Sequence, residues 1–493
     1  MLPSLLWNLP RLHEFVTDIL KLNGGTFVFK GPSFTNLNFI LTSDPANVHH
    51  IVTNNFSNYP KGPELKAIMA PFGDVLFNSD GDSWKTKKDI VLSLIKTAGF
   101  ERLLMTTLRH KLADSLIPVL DHHAARNHDD GGVVLDLQDV MKRFMFDLTC
   151  LLFLGIDPEC LSTSFPRVPC AEAFDVLEEA VVYRHCVPKW VWKLQRWLHV
   201  GWEGKTVKAE ECLNGFVEER IRVKMVEKRA KESSTVNDDD DDNYDFLMKL
   251  IVETERLMGD CYSSKFVRDI VVSSMVAGRD TIAVALSWFF WLVATNPGVE
   301  DKILEELDRT AGEKEVIFSS IEELNKMVYL HGAISETLRL YPSVPYEPKQ
   351  SLKDDVLPSG HIVGRNTRVL VSIYSMGRME DVWGKDWMEF RPERWVANKK
   401  INIIHVPSYK FAAFMAGPRS CSGRKIAYTQ MKTIISCVLR KYKIDVVGDH
   451  PVVPLPSIMM FMRHGLKVRI SSRTPVSTII NVVNSILPVD SVE

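Results

Sequence analysis

The chain has 493 residues, of which 45% are hydrophobic and 25% charged, with 24 Phe and 11 Trp. These are globular values, and they exclude a disordered or collagenous chain. Sixty Lys and Arg against 62 Asp and Glu leave a net charge of −2, which excludes a protein held mainly by nucleic-acid phosphate, and eight Cys without a CxxC pair exclude a disulfide scaffold and give a zinc ribbon no support.

In chain order, the first ten residues lack a basic stretch and are broken by Pro3 and Pro10. They form neither a signal peptide nor a bilayer span. Gly25–Phe29 and Asn38–Thr42 read as strands around the turn residues Gly31 and Pro32. Asp44-Pro45 then reads as an N-cap followed by proline at the first helical position. From about residue 84 to 340 the pattern is helical. Within it, Cys150, Cys160 and Cys170 follow no ligand spacing. The acidic run Asp238–Asp242, after the basic helix Glu218–Lys231, reads as a solvated loop.

Nineteen uncharged residues lie between Asp280 and Glu300. Their hydropathy would suit a membrane span. The stretch ends in Asn296-Pro297-Gly298, however, and its upstream continuation holds Arg268, Asp269, Arg279 and Asp280. The expectation is a long central helix, apolar all round because it is covered all round. Strand-like pieces return from 355 to 400, including Thr367–Ser372. A helix follows residue 424, and Gly465–Ile470 closes as a strand. No Pro/Gly/Ser-rich linker interrupts this order, so residues 1–493 read as a single large domain, mainly α with a minor β region.

One cysteine stands apart. Cys421 lies in Phe414-Met415-Ala416-Gly417-Pro418-Arg419-Ser420-Cys421-Ser422-Gly423, just before a helix. A helix N-terminus offers unpaired N–H groups and a positive dipole end, which lower a thiol pKa. Gly417 and Gly423 allow close backbone approach to a flat partner. Phe414 can shield the sulfur, and Arg419 can meet a carboxylate. Together these suit an axial haem ligand; the alternative is a buried loop cysteine.

The segment resembles the haem-binding signature of cytochromes P450. Glu336-Thr337-Leu338-Arg339 resembles that family's ExxR motif, and Phe390–Trp395 its PERF-type motif. Ala277-Gly278-Arg279-Asp280-Thr281 resembles its oxygen-activation motif. The similarity runs from about residue 20 to 470, leaving 471–493 as a tail. It implies the cytochrome P450 fold, a haem b cofactor bound through Cys421, and an ion network of Glu336, Arg339 and Arg394 that holds the cysteine loop. Ala277 and Gly278 would leave room for dioxygen. Asp280 and Thr281 would relay protons, the alternative for Thr281 being a hydroxyl bonded back to the preceding turn. Trp84 and Lys88 occupy the place of a propionate-binding Trp-x-x-x-Arg. Lysine loses the bidentate fork, so weaker haem retention, or compensation by Lys87 or Arg419, is expected.

Members of the endoplasmic reticulum begin with an anchor and a proline-rich hinge. Met1-Leu2-Pro3 resembles sequence past that hinge, so the chain reads as an incomplete gene model or, second, as a protein without the anchor; the resemblance implies the cytosolic face of that membrane. Val187–Leu198 interleaves Trp with Lys and Arg, as an interfacial helix or as a helix packed over the core. Leu76–Trp84, Tyr374–Met379 and Val382–Asp386 resemble the plant group that hydroxylates fatty acids and alkanes, above all the mid-chain alkane hydroxylase type. The implied enzyme is a monooxygenase using dioxygen, NADPH-cytochrome reductase and a long aliphatic substrate, with no nucleic acid. Oxidative phenol coupling in alkaloid synthesis, and a haem-poor lipid-binding relic, are the alternatives. The expected pocket comprises Tyr59–Leu76, Met275 and Val276, Ser343–Tyr346 and Ser457–Met460. With few basic residues there, Lys66 and Lys349 at its edges, it favours an alkane or alcohol over a fatty acid.

Overall fold

The computed structural model describes residues 4, 7–31, 38–126, 133–232, 244–259, 263–311, 320–397 and 402–473. The acidic run at 238–242 and the tail from 474 lie outside them. Helix α1 spans Leu12–Leu22. Strands β1, Thr26–Lys30, and β2, Asn38–Thr42, follow. Asp44 caps the short helix Pro45–His49 by accepting from the Ala46 and Asn47 N–H groups, as read from the sequence. The helical region then supplies α2 (Gly62–Ile68), α3 (Gly81–Ile95), α4 (Leu137–Leu154), α5 (Pro169–Cys186), α6 (Lys189–Leu198), α7 (Gly201–Glu232) and α8 (Ser264–Ala294). Helix α9, Val328–Leu340, precedes strands β3, Tyr346–Gln350, and β4, Arg368–Ser372. Helix α10, Arg424–Lys441, leads into β5, Tyr442–Val446, and the chain returns in β6, Lys467–Ser472.

The apolar stretch after Asp280 is the second half of α8. Its most apolar window passes for a membrane span by length and composition, but 83% of it is buried inside the fold. Apolar side chains on every face are satisfied because α4, α9 and α10 surround it. Trp288 shows the packing: its indole N–H donates to Met460 O (2.6 Å) and its ring stacks on Tyr341 at 3.8 Å. Gly278 permits the tight crossing of α8 with α4, since a Cβ there would lie 2.8 Å from the Thr149 methyl. The glycine therefore serves helix packing while also lining the cavity.

The four-stranded sheet runs β1-β2-β4-β3, with β2 and β4 parallel and the outer pairs antiparallel. This order carries β3 from the end of α9 to the cavity edge. Helix α6 turns Trp192 inward under Arg184, whose guanidinium lies 4.6 Å from the ring. Trp190 and Trp197 point out, 69% and 75% exposed.

Behind the cysteine loop, Glu336 and Arg339 are fully buried and joined by two hydrogen bonds, 2.7 and 2.8 Å. Glu336 also accepts from the Trp395 indole (2.7 Å), Arg391 N and Arg394 Nε (3.3 Å). Arg339 donates to Gly377 O, Trp387 O and Glu389 O. One i,i+3 ion pair on a helix surface is ordinarily worth a few tenths of a kcal/mol; here the buried pair is the hub that fastens the segment 377–395 to α9.

Candidate active site

Cys421 lies three residues ahead of α10, and its N–H donates to Phe414 O at 2.8 Å, closing the loop. Its side chain faces a cavity of about 890 Å³. Phe414 and Gly423 line the same floor, with the Phe414 ring 5.3 Å from Tyr428. Burial pushes the free Cys421 thiol up, outweighing the Gly423 N–H and Arg424, which pull it down. The lowered pKa expected from the helix terminus is thus not met, because desolvation of a thiolate exceeds one N–H and a nearby cation. A coordinating metal ion deprotonates such a thiol outright. Gly417 also departs from expectation. With φ +66°, its missing side chain faces Val52, whose carbonyl oxygen would be 1.9 Å from a Cβ. It fits the loop against the segment 50–54 and does not line the cavity.

The opposite wall is α8, through Ala277, Gly278 and Thr281. Thr281 Oγ1 donates to Ala277 O (2.6 Å), and Ser343 Oγ donates to Thr281 O (2.6 Å). The hydroxyl therefore both faces the cavity and bonds back to the preceding turn. Asp280 does not join it there. Its carboxyl is fully buried on the far side of α8, against Arg279 and Glu178. Asp280 and Thr281, about 100° apart around the helix axis, take different faces of α8 here, with Thr281 on the cavity and Asp280 off it.

Trp84, Lys88 and Arg419 meet at one edge of the cavity. The Arg419 guanidinium lies 4.5 Å from the Trp84 ring centre and donates to Ser79 O (2.7 Å) and Asp80 (2.6 Å). Its Nε is buried without a partner. A buried N–H at a cationic edge fits a carboxylate such as a haem propionate. The Lys88 ammonium bonds to Pro418 O and lies 5.3 Å from the Trp84 ring centre. Lys87 cannot compensate for it: it is buried beneath Asp74, 2.8 Å away, and Ser79.

The pocket is more charged than the sequence reading held. Lys61, Lys349 and Arg368 line it with Glu64 and Glu347, while Lys66 and Tyr59 do not. Lys61 and Lys349 both pair with Glu347 (2.6 and 3.1 Å), and Arg368 pairs with Glu64 (3.0 Å). Burial lowers the Lys349 pKa to about 8. Lys61 just precedes α2, Glu64 is on it, Glu347 and Lys349 are on β3 and Arg368 is on β4, and only the fold brings them together. Val276, Ser343–Tyr346 and Ser457–Met459 line the cavity as expected, whereas Met275 and Met460 are core residues.

Sequence reasoning missed α1. Leu12, Phe15, Val16 and Ile19 form the outer end of the cavity with Phe27, Phe29 and Leu41. Their three- and four-residue spacing was the available signal. Cys186, at the end of α5, was missed also; it is a second cysteine on the cavity lining.

A cysteine before a helix, under a small-residue stretch of a long buried helix and beside a cationic edge, defines the haem-thiolate class of fold and site. The chain belongs to the cytochrome P450 family, whose description matches residues 6–471. It is 38% identical over 476 residues to Alkane hydroxylase MAH1 of Arabidopsis thaliana, covering 96% of this chain and 92% of that protein. It is 39% identical over 487 residues to Cytochrome P450 86B1 of the same plant, covering 96% and 84%. It is 36% identical over 482 residues to Noroxomaritidine synthase 1 of Narcissus pseudonarcissus, covering 96% and 90%. The protein is accordingly a monooxygenase with a haem cofactor on a cysteine thiolate, served by dioxygen, a redox partner and a hydrophobic substrate.

Proposed function

We propose that the protein hydroxylates a long aliphatic substrate, an alkane or alcohol ahead of a fatty acid. The observation that carries this reading is the largely apolar lining of the cavity, to which Ile68, Phe72, Val181 and Ala285 contribute together with the α1 side chains Leu12, Phe15, Val16 and Ile19. Each methylene it buries contributes roughly 0.8 kcal/mol, which favours long chains without choosing a carbon. The lining cations do not argue for an acid substrate, because Lys61, Lys349 and Arg368 are matched by Glu347 and Glu64. A competition between a long-chain alkane and the fatty acid of equal length, in reductase-supplemented membranes, tests this. Alkane hydroxylation away from the chain end is expected. Terminal hydroxylation of the acid alone would refute it, and phenol coupling instead would favour the activity that the Narcissus relative's name describes.

Within this reading Cys421 holds the haem iron, with Phe414 and Gly423 beside the sulfur. Trp84, Lys88 and Arg419 hold the propionates. When bound, haem supplies electron uptake and dioxygen activation. Ala277 keeps the α8 wall low. Ser343, by anchoring Thr281 O, fixes the wall on which the Thr281 hydroxyl holds a proton at the cavity. Apolar residues exclude water and orient the substrate carbon. Thr281→Ala is expected to keep the haem spectrum while product formed per NADPH falls about tenfold or more, with peroxide rising. Full coupling would leave Thr281 only its bond to Ala277 O.

NADPH-cytochrome reductase is the proposed electron donor, and the cytosolic face of the endoplasmic reticulum the proposed site. The outward Trp190 and Trp197 of α6, with Lys189 and Lys193 among them, support contact with a membrane surface.

A further inference from the structure

Helix α1 is packed by its polar side. Leu12, Phe15, Val16 and Ile19 follow the i, i+3, i+4, i+7 spacing of one helix face, and such an apolar face ordinarily enters a core. Here all four are half-buried and line the cavity. The neighbouring face holds the helix instead, with His13, Thr17 and Leu20 buried. His13 Nε2 donates to Leu455 O (3.4 Å), and its Nδ1 accepts from the Tyr346 hydroxyl (3.2 Å). Burial lowers the His13 pKa to about 4, so at neutral pH one ring nitrogen donates while the other accepts. Thr17 Oγ1 lies 2.8 Å from Ser375 Oγ, and the Lys21 ammonium 3.6 Å from the Trp387 ring centre. These directional contacts fix the rotation of α1 and aim its apolar face at the cavity.

The sheet presents a matching wall. Phe27 stands opposite Leu41 and Phe29 opposite Phe39 across β1 and β2, and Leu370 of β4 lies beside Leu41. Opposed residues share one face of a sheet, and the Phe29 and Phe39 rings stack at 4.8 Å. This face lines the cavity. The other face, through Ile40, Val369 and Val371, enters a hydrophobic core. The cavity-lining side chains of α1, β1 and β2 belong to neither of the two hydrophobic cores among the described residues. Arg368, on the cavity face of β4, is paired with Glu64 (3.0 Å), so its charge is met within the protein. An apolar wall outside both cores and turned into a cavity is costly in water, and an apolar occupant removes that cost.

We propose that α1 and the β1–β2 face form a chain-length site: they receive a methyl end of the aliphatic substrate, and Phe15 and Ile19, one helical turn apart, are specificity-determining residues that set how long a chain is accepted. Continuity identifies the occupant. The cavity that these side chains line is the one that Cys421 and Thr281 line, so a chain held there for oxidation extends onto them as it lengthens. The proposal rests on the aliphatic reading of the substrate and adds to it where length is measured.

The test uses the full-chain holoenzyme and reads binding, as the shift of the haem spectrum on addition of dodecane, hexadecane or tetracosane. Ile19→Trp fills the wall and is expected to weaken tetracosane about tenfold more than dodecane. Phe15→Ala widens it and is expected to move the preference toward the longer alkane. The reduced carbon-monoxide spectrum of both variants should stay intact, and either variant alone decides should the other fail to fold. An equal loss for all three alkanes, or no change, would overturn the proposal. So would an unchanged length profile with weakened binding to phosphatidylcholine vesicles, which would give this face to membrane lipid. If alkanes do not bind, fatty acids and primary alcohols of the same lengths are titrated. A length profile there that moves with Ile19→Trp upholds the chain-length site and refutes the alkane reading; a length profile in no class refutes both.

Discussion

Cys421→Ser is expected to abolish the carbon-monoxide spectrum of a haem-thiolate protein and, with it, monooxygenase activity. A serine hydroxyl is a far weaker acid than a thiol and lacks the sulfur electron density that such chemistry needs. The loop residues that line the cavity beside it, among them Phe414, Ser420, Ser422 and Gly423, include no second thiol. The informative control is Cys186→Ser. Cys186 also lines the cavity, at the end of α5, whereas Cys437 is buried in the core face of α10 and would be an easier comparison. Cys186→Ser should leave the spectrum unchanged. A thiolate-type spectrum surviving in Cys421→Ser and vanishing in Cys186→Ser would exchange their roles.

Arg339→Ala is expected to cost about 3–5 kcal/mol, the usual penalty for removing one partner of a buried ion pair. The loss is large because Arg339 serves four partners: the Glu336 carboxylate and the carbonyls of Gly377, Trp387 and Glu389. Alanine would strand a fully buried carboxylate with only Trp395, Arg391 and Arg394 as donors. Domains are stable by about 5–15 kcal/mol, so the variant should accumulate poorly, bind little haem and unfold at much lower denaturant. Glu336→Gln should be milder, because the amide oxygen still accepts while no lone charge is left behind. Denaturant midpoints and haem content measure both. A stability for Arg339→Ala within about 1 kcal/mol of the unaltered protein would show that the network is not the fastener of the segment 377–395.

Local chemistry was legible in the chain itself. Asp44-Pro45 announces its helix because capping involves only neighbouring residues. The apolar stretch after Asp280 reads as a core helix because its flanking charges and terminal Asn296-Pro297 argue against a bilayer. Cys421 stands out through the joint pattern of Phe414, Gly417, Arg419 and Gly423, and the family followed from that pattern with its companion motifs.

Direction was not legible. Which face of α8 Asp280 takes depends on the helix rotation fixed by α4 and α5, not on its adjacency to Thr281. The empty sides of Gly278 and Gly417 face Thr149 and Val52, partners more than a hundred residues distant in the chain. Lys61, Lys349 and Arg368 enter the cavity because β3, β4 and α2 converge there and supply Glu347 and Glu64 as partners. The amino-acid sequence by itself determined the long central helix, the strands at 25–29, 38–42 and 367–372 and the chemistry of the haem loop, because these rest on short-range patterns. Only the tertiary structure decided which groups meet in the cavity and which are paired behind it, because a buried charge takes its place from whichever distant segment can neutralise it.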